Sequence, residues 1–147
     1  MKFKGDIIIT DPCYIIRAEH HETTPITKDD WEACDCGDNM EVLGIENYIC
    51  RGTIYGDWSC TTFNSDTNEE IGEFCADAGL VAVFLLDEVL KYNPDFDYHI
   101  NRPWTTTLIK DFDGEVNFEV IYDEYGEPEV QVVGKGNINF VGKQTGL

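Results

Sequence analysis

The sequence predicts a mainly β domain of the α+β class, folded as a single antiparallel rolled sheet or partly open barrel with two or three short helices. One observation behind this prediction is the last third of the chain, where Val116, Phe118 and Val120 alternate with polar residues as in a half-exposed strand. Another is the apolar segment 80–86, which has no polar face. The sequence also lacks an interdomain linker or internal repeat, which makes residues 1–147 a single β-rich domain.

The N-terminal segment predicts a buried strand over residues 5–10. Its centre consists of Ile7, Ile8 and Ile9, so neither face of the strand is polar. The following Asp-Pro pair is expected to interrupt the strand, because proline has no N–H to donate to a neighbouring strand. Residues 13–16 are predicted to continue the strand after this kink.

The next segment predicts a loop followed by two short helices. Residues 17–26 show no apolar period and are expected to form the loop. Thr27, with Asp30 three residues later, is typical of a helix start, and this helix is predicted to end by Gly37. A second helical segment is predicted over residues 40–43.

The middle of the chain predicts strands and one helix. A strand is expected from Tyr48, and the Gly-Asp dipeptide within residues 54–58 predicts a hairpin turn. Further strands are predicted over residues 71–75 and 80–86, with turns at 64–68 and 76–79. The later of these strands is expected to be central in the sheet and covered on both faces. A short helix is predicted over residues 87–92, ended by the Asn-Pro pair that follows it.

The last third predicts an antiparallel meander of three or four strands. Asp113-Gly114 is a strong signal for a hairpin turn before the strand that contains Val116. The segment 125–128 predicts the next turn, because it combines glycine and proline. Two further alternating segments complete the meander, residues 130–132 and 138–140.

Charge is the strongest compositional signal, since 29 acidic and 10 basic residues give a net charge of −19. This balance disfavours direct binding to nucleic acid or to an anionic membrane, and no apolar segment has the length of a membrane span. No lysine or arginine lies between Arg51 and Lys91, and residues 111–134 hold eight carboxylates without a single basic residue. The acidic surface either keeps the protein soluble, captures a basic partner, or mimics a nucleic-acid backbone.

The cysteines indicate the compartment. Six cysteines could form three disulfides, but the N-terminus has no apolar leader of signal-peptide length. We therefore expect reduced thiols in a cytoplasm. Cys34 and Cys36 lack a second pair at zinc spacing, and neither a metal site nor a cofactor is predicted.

Three segments carry candidate chemistry. Asp11, Cys13 and Tyr14 surround the proline break and form either a ligand-binding or nucleophilic corner, or a turn in which the aspartate bonds its own backbone. The segment 56–60 presents either a polar ligand-binding face or an ordinary solvated face. Asp77 lies among small residues that either admit a ligand or simply make a tight turn.

Basic residues and histidine near these segments are few. His99 lies beside Arg102 in an aromatic-rich loop, and it is either close to a pocket or a solvent-facing loop residue. An anionic ligand would need Arg17, Arg51, Arg102 or a backbone nest to offset the surrounding negative charge.

Two of the candidate segments also carry a family resemblance. The segments Asp11-Pro12-Cys13-Tyr14 and Asp77-Ala78-Gly79, with a glycine-punctuated β C-terminus, resemble those of a family of small, mostly uncharacterised proteins of bacteria and bacteriophages. The resemblance implies a phage or bacterial cytoplasmic origin and draws attention to Asp11, Tyr14 and Asp77. It implies no particular activity.

The sequence therefore predicts an acidic, non-enzymatic binding protein, phage-encoded, that sequesters a ligand or masks a host defence protein. Its partner is expected to be a basic protein or a small polar ligand. The candidate pocket consists of six residues: Asp11, Cys13, Tyr14, Asp57, Trp58 and Asp77. One alternative is a small hydrolase-like enzyme with Asp11 and Asp77 as acid and base, or Cys13 as nucleophile. The other is a DNA-mimic inhibitor of a DNA-binding protein.

Overall fold

The computed structural model describes residues 1–16, 44–53, 59–77, 79–102 and 104–146. Within these ranges the chain forms eight strands, two short α-helices and two single 3-10 turns. The strands are β1 (Lys2–Thr10), β2 (Tyr48–Gly52), β3 (Ser59–Asn64), β4 (Glu70–Cys75), β5 (Leu80–Leu85), β6 (Thr106–Tyr122), β7 (Pro128–Gly136) and β8 (Phe140–Gly146). The helices are α1 (Leu86–Tyr92) and α2 (Asp97–Ile100), and the 3-10 turns are Pro12–Tyr14 and Pro94–Phe96. Neither α-helix in these ranges is long and apolar enough to cross a membrane.

All eight described strands belong to one antiparallel sheet that is not closed. Its order is β2-β5-β1-β6-β7-β8-β3-β4, and every pair of neighbours is antiparallel. The predicted mainly β class is confirmed.

The sheet carries an apolar cluster on each face of β1 and β5. Ile7 and Ile9 pack into one cluster and Ile8 into the other, because successive side chains of a strand point to opposite faces. Val83 and Phe84 divide between the same two clusters, and all five of these side chains are fully buried. The prediction of a strand covered on both faces is confirmed for Leu80–Leu85, whereas Leu86 begins α1 and β5 lies second in the sheet order rather than at its centre.

The second cluster is closed by short elements rather than by another sheet. Ile15 and Ile45 cover it from the segments beside β1 and β2, and Val89 of α1 and Phe96 of the second 3-10 turn complete it. The predicted helix over residues 87–92 and its stop at the Asn-Pro pair are confirmed.

Residues 13–16 do not continue β1, so that prediction is wrong. β1 ends at Thr10, and Pro12–Tyr14 forms a 3-10 turn. Proline fits the first position of such a turn, where its missing N–H is not needed. The Asp11 carboxylate caps the turn by accepting a hydrogen bond from the backbone N–H of Cys13 at 2.9 Å.

Asp113-Gly114 does not form a hairpin turn either. Both residues lie inside β6, which runs without interruption for 17 residues. Gly114 pairs with Gly136 of β7, and a Cβ at Gly114 would lie 2.3 Å from the carbonyl oxygen of Lys135. Glycine is required here for a close approach of two backbones rather than for a turn.

The rest of the meander follows the sequence pattern. β6, β7 and β8 are consecutive antiparallel neighbours, and the turn between β6 and β7 has Gly126 at a φ of 79°. The predicted turn at residues 64–68 joins β3 to β4. Ile138 differs from the prediction, since it lies before β8 rather than in it.

A short connection and two threonine contacts link distant strands of the sheet. Only residues 76–79 connect β4 to β5, although these strands lie six positions apart in the sheet order. Thr107 of β6 donates a hydrogen bond to the carbonyl oxygen of Glu73 in β4 at 3.1 Å. The hydroxyls of Thr62 and Thr107 lie 3.1 Å apart, so β3 and β4 contact β6 across the sheet.

Several predictions fall outside the described residues. They are the loop at 17–26, the helix at 27–37, the helical segment at 40–43 and the hairpin at 54–58.

A candidate ligand site at one end of the sheet

Strand ends and one loop converge at one end of the sheet. Asp11 follows β1, Cys75 closes β4, Leu80 opens β5, and Trp104 precedes β6. The Asp11 carboxylate accepts a hydrogen bond from the N–H of Leu80 at 3.3 Å, and the Cys75 thiol donates to the carbonyl oxygen of Trp104 at 2.8 Å. We refer to six residues gathered here as the sheet-end site: Tyr14, Cys75, Asp77, His99, Arg102 and Trp104.

Asp11 is a structural anchor of this site. Its side chain is fully buried, with Oδ1 on the N–H of Cys13 and Oδ2 on the N–H of Leu80. These two hydrogen bonds, from backbone N–H groups to the Asp11 carboxylate, hold the 3-10 turn against the start of β5. They thereby fix the position of Tyr14. This matches the alternative in which the aspartate bonds its own turn.

Tyr14 and Asp77 meet as the predicted pocket requires. The Tyr14 hydroxyl donates a hydrogen bond to Oδ2 of Asp77, although 63 residues separate them in sequence. Burial, and then the hydrogen bond to Asp77, raise the pKa of Tyr14, which keeps the hydroxyl protonated and donating. The Asp77 side chain is exposed, so its carboxylate is open to solvent.

The other predicted pocket residues are less informative. Cys13 is half-buried and precedes Tyr14 in the 3-10 turn. Asp57 and Trp58 lie outside the described residues. The pocket of six residues therefore stays a prediction.

Aromatic rings extend the site from Tyr14 towards α2. The centre of the His99 ring lies 5.0 Å from that of Tyr14, 5.6 Å from that of Phe96 and 5.4 Å from that of Tyr98. Burial, and then the positive charge of Arg102, lower the pKa of His99, so its imidazole is neutral near pH 7. Its Nδ1 atom is buried and has no hydrogen-bond partner among the described residues.

Arg102 lies between two exposed aromatic rings. Its guanidinium carbon lies 4.8 Å from the ring centre of Tyr98 and 4.5 Å from that of Trp104. It also donates a hydrogen bond to the Tyr98 hydroxyl. Tyr98 is 59% exposed and Trp104 is 46% exposed, so this stack faces solvent.

A small cavity of about 190 Å³ adjoins the stack. It is lined by Ser59, Cys60, Thr61, Glu73, Phe74, Cys75, Trp104 and Thr145. Burial raises the pKa of Cys60 to about 12, and burial followed by the charge of Asp77 also raises the pKa of Cys75. Both cysteines are therefore thiols near pH 7, not the thiolates that a nucleophile requires. Within the described ranges, no group of three or more His, Cys, Asp or Glu side chains is placed to hold a metal ion.

Sequence reasoning pointed to the Tyr14 and Asp77 part of the site but not to the stack around Arg102. It selected Tyr14 and Asp77 from short segments. It gave no role to Tyr98 and Trp104, and it treated Arg102 only as one of several possible counter-charges. The available signal was the aromatic density of residues 96–104, which contain the only arginine between Arg51 and the C-terminus.

Comparison of the chain with models of known protein families, with curated proteins and with solved structures finds no match.

Proposed function

We propose that the chain is a non-enzymatic binding protein whose sheet-end site holds a small polar ligand with a flat ring. The observation that carries this proposal is the hydrogen bond between Tyr14 and Asp77, beside the exposed rings of Tyr98 and Trp104. Tyrosine and tryptophan rings stack on planar ligands. The exposed Asp77 carboxylate accepts hydrogen bonds from amino or hydroxyl groups of such a ligand.

The protonation states at the site favour binding over catalysis. The pKa values of Tyr14 and Cys75 are raised and that of His99 is lowered, so all three side chains are uncharged near pH 7. Asp11 already engages both oxygens with backbone N–H groups, and use as an acid or base would disturb the turn that positions Tyr14. A hydrolase with Asp11 and Asp77 as its acid and base is therefore the weaker alternative.

Calorimetric titration with the four ribonucleosides tests the proposal, because each offers a flat ring with amino or hydroxyl groups. We expect at least one nucleoside to bind the native chain. Asp77→Asn and Tyr14→Phe should weaken that binding about tenfold, the effect of losing one hydrogen bond to a charged group. Asp113→Asn and Tyr125→Phe make the same chemical changes at exposed positions of β6 and the following turn, and should not change it. Unchanged affinity in both site variants, or no binding by any nucleoside, would contradict the proposal.

A second candidate function, masking of a basic host protein, is favoured by the hairpin of β6 and β7. Ile121, Tyr122 and Tyr125 are 37%, 70% and 82% exposed near its tip. They lie within residues 111–134, which hold eight carboxylates and no basic residue. Exposed aromatic residues commonly anchor protein interfaces, and the surrounding charge suits a basic partner such as a DNA-binding protein.

Salt dependence tests this second function with a lysine- and arginine-rich peptide as the probe. Binding should be lost by about 0.3 M salt, where charges on the surface are screened. Replacing Tyr122 and Tyr125 by serine should weaken binding, whereas replacing both by phenylalanine keeps the rings and should preserve it. Binding that persists in high salt or survives the serine changes would argue against a docking role for the hairpin.

The rolled form of the sheet is part of the same proposal. A flat sheet would place β4 about 29 Å from β5, at roughly 4.8 Å per strand. The connection formed by residues 76–79 spans at most about 18 Å, at roughly 3.6 Å per step. The contacts of Thr107 with Thr62 and Glu73 also support a sheet that curls β4 back towards β6.

A cytoplasmic setting, in a bacterium or a phage-infected cell, completes the proposal. What supports it is that Cys60 and Cys75 form no disulfide with any described residue. Free thiols suit a reducing compartment.

A further inference from the structure

We propose that Arg102 is the receptor for an oxyanion, a phosphate or a carboxylate, carried by the ring that binds at the sheet-end site. This inference rests on the proposed ligand-binding function and names the chemical class of the ligand. It implies a ligand such as a nucleoside monophosphate or a ring with an acidic substituent.

Arg102 has no acidic partner among the described residues, although the chain is strongly acidic. The chain carries 29 carboxylates and 10 basic side chains, so an arginine is surrounded by potential partners. Among the described residues Arg102 nevertheless makes no ion pair, and its contacts are with the Tyr98 ring and hydroxyl and the Trp104 ring. The cation is held by aromatic surfaces, and no carboxylate of the described ranges pairs with it.

The Arg102 guanidinium has N–H donors that its described contacts do not use. Tyr98 and Trp104 stack against Arg102 at 4.8 Å and 4.5 Å, and one N–H group is used on the Tyr98 hydroxyl. A guanidinium has five N–H donors in its plane, and a stacked ring does not occupy them. The remaining donors can therefore take an oxyanion at the edge of the group, in the paired manner that arginine favours.

The side chains of His99 and Tyr14 carry no charge that would neutralise Arg102 or repel an anion. His99 is neutral and Tyr14 is protonated near pH 7. Asp77 accepts the hydrogen bond of Tyr14. The overall charge of −19 opposes an anionic ligand, but charges beyond about 8 Å are largely screened at physiological salt. We expect a direct, paired contact with the Arg102 guanidinium to offset the opposing net charge.

The test compares each ribonucleoside with its 5′-monophosphate and its 5′-carboxylic acid by calorimetry at one salt concentration. In the native chain the oxyanion should strengthen binding about tenfold or more, as for a charge-assisted pair of hydrogen bonds. The two acids show whether phosphate or carboxylate is preferred. Inorganic phosphate alone measures binding that does not involve the ring.

Three variants locate the effect. Arg102→Gln should abolish the gain from the oxyanion, and Arg102→Lys should retain only part of it, because lysine keeps the charge but lacks the planar fork. Lys135→Gln removes the same charge from an exposed position in β7 and should leave the gain intact. Circular dichroism of each variant verifies that the fold is kept.

The outcomes separate the two proposals. Equal affinity for nucleoside and monophosphate in the native chain, or an undiminished gain in Arg102→Gln, would overturn the oxyanion receptor alone. An Arg102-dependent gain with nucleoside binding that ignores Tyr14→Phe and Asp77→Asn would overturn the ring site and keep the receptor. Failure of every nucleoside and every acid to bind would overturn both.

Discussion

In the meander of β6, β7 and β8, each strand pairs with the next strand in sequence, whereas the sheet-end site joins residues far apart in the chain. The β6–β7 ladder runs in regular register from Gly114–Gly136 to Tyr122–Pro128. At the sheet end, hydrogen bonds link residues 63 and 69 positions apart, Tyr14 to Asp77 and Asp11 to Leu80.

The two regions also differ in what their polar residues do. Within residues 113–119 of β6, the polar residues alternate with apolar ones and are exposed, so their pattern follows from the strand period. At the sheet end, Asp11 bonds backbone N–H groups, Arg102 contacts aromatic rings, and the Nδ1 atom of His99 has no partner within the described ranges. On the proposed function the sheet end provides recognition, whereas we expect changes in the meander to act on stability.

The largest expected effect is a loss of stability in the meander. A Cβ at Gly134 would lie 2.1 Å from the ring of Phe140, which is fully buried against Phe112 with ring centres 5.5 Å apart. Gly134→Ala should lower the free energy of unfolding by about 3 kcal/mol, since the buried ring cannot move aside freely. Chemical denaturation measures this loss.

Two controls define that prediction. Gly52→Ala adds the same methyl group where the nearest atom is 4.0 Å away, and it should have little effect. Phe140→Leu, combined with Gly134→Ala, should recover part of the loss. A stable Gly134→Ala protein would contradict the close approach.

The second effect concerns the anchor of the sheet end. Asp11→Ala leaves the N–H groups of Cys13 and Leu80 without their acceptor in a buried place, which should cost about 2–3 kcal/mol. Asp11→Asn keeps one acceptor oxygen and should lose less. Denaturation of both variants tests the order, and equal stability of Asp11→Ala and the native chain would show that Asp11 holds nothing together.

The same contrast explains how much the sequence predicts. The strand period and the apolar run at 80–86 are local patterns, so β5, β7 and the second half of β6 follow from them, whereas they do not predict residues 106–113 as a strand. Asp113-Gly114 is misleading because the same dipeptide occurs in hairpin turns and where two backbones pair closely. Which of the two forms depends on Gly136 in the neighbouring strand, which a local pattern does not show. Residues 13–16 are expected from the sequence to resume the strand after a kink. They do not, because Asp11 caps a 3-10 turn at this point.

The candidate site is less predictable for a physical reason. Tyr14 and Asp77 stand out because each lies two residues from a structure-breaking residue, Pro12 or Gly79. The stack of Tyr98, Arg102 and Trp104 depends on how the loop before β6 folds. No local period encodes that packing.

A third, smaller effect is a pH dependence that belongs to the cavity beside the site. Burial raises the pKa of Cys60 from its ordinary value of 9.0 to about 12, so the folded state holds this proton more tightly than the unfolded state. Its contribution to stability is complete below about pH 9 and is lost as the pH rises towards 12, with a slope of at most about 1.4 kcal/mol per pH unit. Cys60→Ala should flatten this part of the stability profile, measured by denaturation between pH 8 and about pH 11. If the pH dependence of stability is the same in Cys60→Ala and the native chain, the thiol is exposed to solvent rather than buried.

The smallest effect is expected at the tip of the hairpin, and it bears directly on the division between stability and recognition. Tyr122 and Tyr125 are 70% and 82% exposed, so their rings bury little surface against the fold. Replacing either with serine should change the free energy of unfolding by less than about 0.5 kcal/mol, as for other exposed positions. A larger loss in chemical denaturation would mean that the rings stabilise the meander itself. A negligible loss leaves two large exposed rings without a role in folding, which is the condition under which contact with a partner explains them.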